Sequence, residues 1–247
     1  MDRMGIPEEY PIDEKMLSGV VENAQKTVES RNYQTRKTVL EYEAQQVEKG
    51  KILFYGSSGF TRWKPKYGMR PLEDEILGKD GSLACINHGF GSSTAEELLY
   101  YYPRAVKPWE PRALVISIVH NDRGWGYSPN EIMTNLAKLM EMARTDFPGI
   151  KLYLCDTRPT YKYNNEFVER FCKEFHQLCK EYCDRHEDTT LVRHAECVEF
   201  WKDPADAGAF DAEKVRRDIY VDDEIHFNQL GYDIYRDLFL NALDDIL

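Results

Sequence analysis

Apolar runs alternate with helical patterns along most of this chain. Five runs have the length and character of strands: 51–55 (KILFY), 83–86 (LACI), 113–119 (ALVISIV), 150–155 (IKLYLC) and 190–193 (TLVR). The third is almost wholly apolar, as a strand covered on both faces should be. Between and after them the periodicity predicts helices at about 94–102, 129–145, 165–184 and 228–246. Two of these carry start signals. Ser128-Pro129-Asn130-Glu131 places a cap serine before a proline and a glutamate three residues on, and Thr94-Ala95-Glu96-Glu97 repeats the spacing. Residues 12–48 read as a mostly helical lead-in, too polar to stand as an independent domain. Strand–helix alternation of this kind predicts a parallel sheet with right-handed crossovers and helices on both faces.

That architecture says where to look for chemistry, because ligands of an open parallel sheet bind beyond the carboxyl ends of its strands. Three loops at that edge hold "GSSG" (56–59), "NHGFGSS" (87–93) and "HNDRGWGYS" (120–128). A phosphate-binding P-loop would need a second glycine and a lysine at fixed spacing after Gly56, and neither is there. "GFGSST" (89–94) has Thr94 where a dinucleotide fingerprint needs glycine. The Gly-x-Ser-x-Gly elbow fails at Phe60. Near the C-terminus, "DDEIHFNQLGY" places Asp223 three residues before His226, a spacing at which a carboxylate in a turn can orient an imidazole.

Composition narrows the classes. The 247 residues carry a net charge of −11, which argues against a nucleic-acid or anionic-membrane surface, and no apolar run reaches membrane-spanning length. The N-terminal "MDRMGIPEEYPIDEKM" lacks the apolar stretch of a signal peptide, so the expected location is cytoplasmic. Cys172, His176, Cys179 and Cys183 lie on one helical stripe with Val168, Phe171, Phe175, Leu178 and Tyr182. Four ligands strung along one helix face cannot close a tetrahedron around an ion, so packing is expected there and no metal.

Taken in order, "FYGSSGFTRW", "NHGFGSST", "VHND" and "DDEIHFNQLGY" resemble the conserved blocks of the SGNH (GDSL-type) serine hydrolases. The resemblance implies a single domain over 1–247, with about 1–50 as lead-in. It also implies a three-layer α/β/α fold around a central parallel five-stranded sheet, flavodoxin-like, and no cofactor. It makes Ser58, not Ser57, the nucleophile, with His226 as base and Asp223 as its partner (Asp222 being the lesser choice). The oxyanion would be held by the amides of Ser58 and Ser92 and the side chain of Asn121. Two family glycines are replaced, by Ser92 in the second block and Val119 in the third. The implied function is hydrolysis of short-chain acyl esters of a small molecule, such as an acetylated carbohydrate. The rivals are a catalytically silent binding module on the same fold and a lipid or thioester acyl hydrolase. Arg62, Trp63, Trp125, Tyr127 and Val119 are the candidate substrate contacts, with Val119 narrowing the acyl side. His88 and His120 are read as structural. Asp223 is expected to raise His226 somewhat above the ordinary histidine pKa of about 6.5.

Overall fold

The computed structural model describes residues 19–30, 35–162 and 165–247. The N-terminal stretch read above as leaderless therefore falls outside the described residues. The chain opens with α1 (Val20–Ser30) and α2 (Thr35–Glu43). It enters the sheet at β1 (Ile52–Gly56), followed by the short helices α3 (Ser58–Thr61) and α4 (Leu72–Glu75). Then come β2 (Cys85–Gly89), α5 (Ala95–Ala105), β3 (Ala113–Ser117), the one-turn α6 (His120–Gly124) and α7 (Pro129–Asp146). β4 (Lys151–Cys155), α8 (Glu166–Asp184), β5 (Thr189–Val192) and α9 (Gln229–Ala242) complete it.

All four strand pairings are parallel, in the order β2-β1-β3-β4-β5. Four of the apolar runs became strands nearly as expected because both faces of the sheet are covered, whereas β2 is displaced from the 83–86 run to Cys85–Gly89, where Asn87, His88 and Gly89 pair with β1 and Leu83 lies exposed outside the ladder. One apolar cluster joins Leu53, Tyr55, Leu114 and Ile116 to α1, α2, α5, α7 and α8. The other joins Ile52, Phe54, Val115 and Tyr153 to the 60–76 segment and α9. This is a three-layer α/β/α fold.

Local sequence signals account for the helix starts. Ser128 accepts from the Glu131 amide at 3.2 Å while the Glu131 carboxylate accepts from the Ser128 amide at 2.8 Å, two otherwise orphaned donors satisfied at once. Glu97 likewise accepts from the Thr94 amide at 3.0 Å. β3 is shorter than its apolar run: Ile118 and Val119 leave the ladder because the chain must turn into α6. α5 runs beyond the expected end, continuing through Pro103 to Ala105. The cysteine stripe of α8 packs as expected, with Phe171, Cys172, Phe175, Leu178, Cys179 and Tyr182 buried. Val168 stays half-buried.

Candidate active site

With strand order 2-1-3-4-5 the chain reverses direction between β1 and β3, which opens a crevice at their carboxyl ends. The loops after both strands meet there. Gly56 ends β1 against the backbone of β3: a Cβ on it would sit 2.3 Å from the Ser117 carbonyl oxygen, so only glycine allows the approach. Ser57 caps α3 through its backbone, and its carbonyl accepts from the amides of Phe60 and Thr61. Ser58 opens the helix.

The Ser58 hydroxyl lies 2.8 Å from His226 Nε2, and His226 Nδ1 lies 2.7 Å from the Asp223 Oδ2 carboxylate oxygen. A turn holds this second pair. The amides of Ile225 and His226 donate to Asp223 Oδ1 at 3.0 and 2.9 Å, leaving Oδ2 for the imidazole. Arg62 donates to the same Oδ2 at 3.0 Å. A residue proposed to touch substrate thus meets the carboxylate behind the histidine, which the sequence alone did not signal. Burial pushes the Asp223 carboxyl up, but the hydrogen bonds from His226 and Ile225 prevail and hold it well below the usual carboxylate range. Burial draws His226 down to about 4; the bond to Asp223 opposes this, and the charges of Arg158 and Arg62 add to it. The expected upward shift is therefore reversed, because desolving the imidazolium outweighs one hydrogen-bonded carboxylate.

The neighbouring loops bring up polar hydrogens. Neither the Ser58 nor the Ser92 amide has a hydrogen-bond acceptor among the described residues. Asn121 donates one side-chain N–H to the Ser93 carbonyl at 2.9 Å and retains a second. Asp122 fixes the two loops together by accepting from the Ala95 amide at 2.7 Å; burial pushes its carboxyl up to about 8. Both replaced glycines keep unusual backbone angles: Ser92 has φ 65°, in the left-handed region, and Val119 has φ 158° and ψ −43°. These angles are glycine-like.

The substrate-contact expectations fare unevenly. Trp63 is fully buried, stacked on Tyr232 with its indole N–H on Glu75, because the chain after α3 folds under α9. Tyr127 is buried with its hydroxyl on Glu96, and Val119 belongs to the core cluster beside α5 and α7. These three offer no surface to a ligand and are corrected to packing residues, which removes the expectation that Val119 walls an acyl pocket. Trp125 is 52% exposed, and Arg62 is half-buried. Asp222 is exposed and has no part in the Ser58–His226–Asp223 line. His88 is buried, its Nδ1–H on the Ala105 carbonyl.

The comparisons with known proteins divide the chain in two. Residues 11–54 match the SecA wing and scaffold domain. Over 43 residues the chain is 56% identical to the protein translocase subunit SecA of Acetivibrio thermocellus, a stretch covering 17% of this chain and 5% of that protein. The chain therefore spans 5% of the length of that curated relative. Three solved structures share the α/β/α fold. A Bacteroides fragilis protein described as an acylhydrolase has a TM-score of 0.65 at 16% identity, with 87% of this chain and 99% of that one covered. A psychrotrophic Pseudoalteromonas esterase gives 0.56 at 15% identity, covering 79% and 97%. An acetyl-xylooligosaccharide esterase from Geobacillus gives 0.57 at 14%, covering 80% and 95%. Residues 55–234, from the end of β1 into α9, match the model of the GDSL-like lipase/acylhydrolase family, and the chain belongs to this family of ester-hydrolysing enzymes.

Proposed function

We propose that Ser58, His226 and Asp223 form the catalytic triad of a serine esterase that cleaves short-chain acyl esters of a small molecule, an acetylated carbohydrate being the leading class. The observation that carries this reading is the continuous hydrogen-bonded line from the Ser58 hydroxyl through the imidazole to Asp223. In it, His226 Nε2 takes the proton as Ser58 Oγ attacks the ester carbonyl, and returns it to the departing alcohol; a water then repeats the cycle on the acyl-serine. Asp223 keeps the second imidazole proton on Nδ1 and offsets the charge that develops on the ring, while Arg62 holds Asp223 in place. The Ser58 and Ser92 amides and the remaining N–H of Asn121 receive the oxyanion. A single side-chain donor there is worth roughly 100- to 1,000-fold in rate. The exposed Trp125 face, close in sequence to Asn121, suits a sugar ring. The SecA-like stretch supplies none of these residues, so the activity is assigned to 55–234. The domain reading that goes with it is one hydrolase unit carrying a helical lead-in over about 1–50. Six free cysteines fit a reducing compartment such as the cytoplasm.

The test is a pair of serine variants. Ser58→Ala should lower p-nitrophenyl acetate hydrolysis by at least about 1,000-fold and abolish labelling by a fluorophosphonate probe. Ser57→Ala should keep most of both. Equal losses, or a probe adduct mapped to Ser57, would overturn the assignment.

A further inference from the structure

The turn that carries His226 is held from outside by the loop leaving β4. Glu224, between Asp223 and His226, has φ 58°, in the left-handed region that an L-residue enters only at a cost. Its carbonyl accepts from two amides of that loop, those of Tyr161 and Lys162, each at 3.2 Å. The N–H of the same peptide unit belongs to Ile225, and it donates to Asp223 Oδ1 at 3.0 Å. A trans peptide is planar and its C=O and N–H point opposite ways, so fixing one end aims the other. The loop thus aims a donor at the Asp223 carboxylate through a single peptide plane.

The loop is itself anchored. The Pro159 carbonyl accepts from the Tyr220 hydroxyl at 2.8 Å, and the Arg158 carbonyl accepts from His120 Nε2 at 2.8 Å. The Tyr161 ring centre lies 5.1 Å from the Arg217 guanidinium carbon, and Arg217 pairs with the Glu224 carboxylate. That ion pair closes the same junction through side chains. Arg217 is 67% exposed, however, so the pair contributes little and the backbone bonds decide. Inside the turn, the Val221 amide donates to the His226 carbonyl and the Glu224 amide to the Val221 carbonyl, both at 2.9 Å. Neither bond involves the Glu224 carbonyl or the Ile225 amide. Among the described residues, rotation of that peptide is therefore opposed only by the loop and by Asp223 Oδ1. Were it to rotate, Asp223 would lose one of the two amides that leave Oδ2 facing the imidazole.

We propose that the 159–162 loop is a positioning element for catalysis, acting through the Glu224–Ile225 peptide to hold Asp223 in register with His226. The proposal rests on the triad reading and makes Lys162 and Glu224 positioning residues, which act on the reaction only through Asp223.

Steady-state kinetics on p-nitrophenyl acetate separate positioning from ester binding. Lys162→Pro deletes one of the two loop amides, and Glu224→Val puts a β-branched side chain where φ is positive. Each should lower kcat about tenfold or more with KM within about twofold, because misorientation slows the chemistry and leaves ester binding in place. Glu224→Gly accepts the left-handed angle without strain and should lose far less than Glu224→Val. The deciding measurement is a double-mutant cycle with Asp223→Ala: in that background neither Lys162→Pro nor Glu224→Val should lower kcat further. Where either variant loses its native circular-dichroism spectrum, Tyr220→Phe, which releases the Pro159 carbonyl at nearly constant volume, takes its place in the cycle. Unchanged kcat in the single variants, or equal losses with and without Asp223→Ala, overturns the positioning role. Undiminished kcat in Asp223→Ala alone overturns the triad instead, an outcome read without any loop variant.

Discussion

At the scale of single residues, the site is defined by what flanks His226. Its ring is pinned between Ser58 and Asp223, with side-chain exposure of only 13%, and two arginines stand close enough to disfavour a third charge. The consequence for catalysis is a pH profile. His226 is a base only when unprotonated, and its pKa of about 4 lies below the ordinary value, so the neutral form persists through mild acid. The kcat/KM for p-nitrophenyl acetate should therefore stay level from about pH 8 to about pH 5 and fall only below that. An acid limb near or above 6.5 would show that Asp223, not burial, governs the imidazole.

At the scale of elements, the arm formed by α1 and α2 reaches the chemistry indirectly. Val20, Ala24, Val28 and Val39 are buried in the cluster that includes Leu98, Leu99, Tyr102 and Ala105 of α5. Tyr42 stacks on His88 at 4.1 Å between ring centres, and its hydroxyl donates to the Gly89 carbonyl. Gly89 begins the loop that ends in Ser92 and Ser93, so a segment resembling part of a translocase braces the loop assigned to the oxyanion. Deleting residues 1–48 should lower Tm and raise dye binding, because it uncovers an apolar helix face. Tyr42→Phe should cost about 0.5–1.5 kcal/mol of stability from the lost hydrogen bond. It should also lower kcat more than KM, since the loop and not substrate affinity is disturbed. A variant with unchanged Tm and kcat would remove the brace.

At the scale of the whole molecule, acid should unfold this protein through its histidines. Burial draws His88 and His226 to about 4 and His120 and His194 to about 3. Each takes up a proton near 6.5 once unfolded, so between those values the unfolded chain binds more protons and stability falls with pH. Asp122, at about 8, and Asp156, also raised by burial, work the other way, because a carboxyl whose folded pKa lies above its unfolded one holds its proton more tightly in the fold, an advantage lost as pH rises. His176, raised first by the hydrogen bond that its Nδ1–H donates to Asp156, opposes the four as well, in a window above 6.5. Four groups against two in the range below 6.5 leave a net loss. The midpoint of urea unfolding should drop as pH is lowered from 7 to 4.5; a level or rising midpoint would mean that the buried carboxyls dominate.

The sequence by itself determined the strands, the helix starts and the register of the reactive turn. Five apolar runs can be buried only between two helical layers, Ser128 and Glu131 satisfy each other within four residues, and Asp223 and His226 meet inside one turn. These are local relations, and local relations are written in spacing. The tertiary structure decided which aromatic residues face outward: Trp63 and Tyr127 lie on edge loops like Trp125, yet helices from elsewhere in the chain cover the first two and leave the third open. It also decided that Arg62 reaches Asp223 across 161 positions and Ser58 reaches His226 across 168. The depressed imidazole belongs here too, because burial and charge at a point sum over every element that packs around it. Periodicity records which side of a helix or strand turns inward; only the crossovers of the sheet bring together what each side meets.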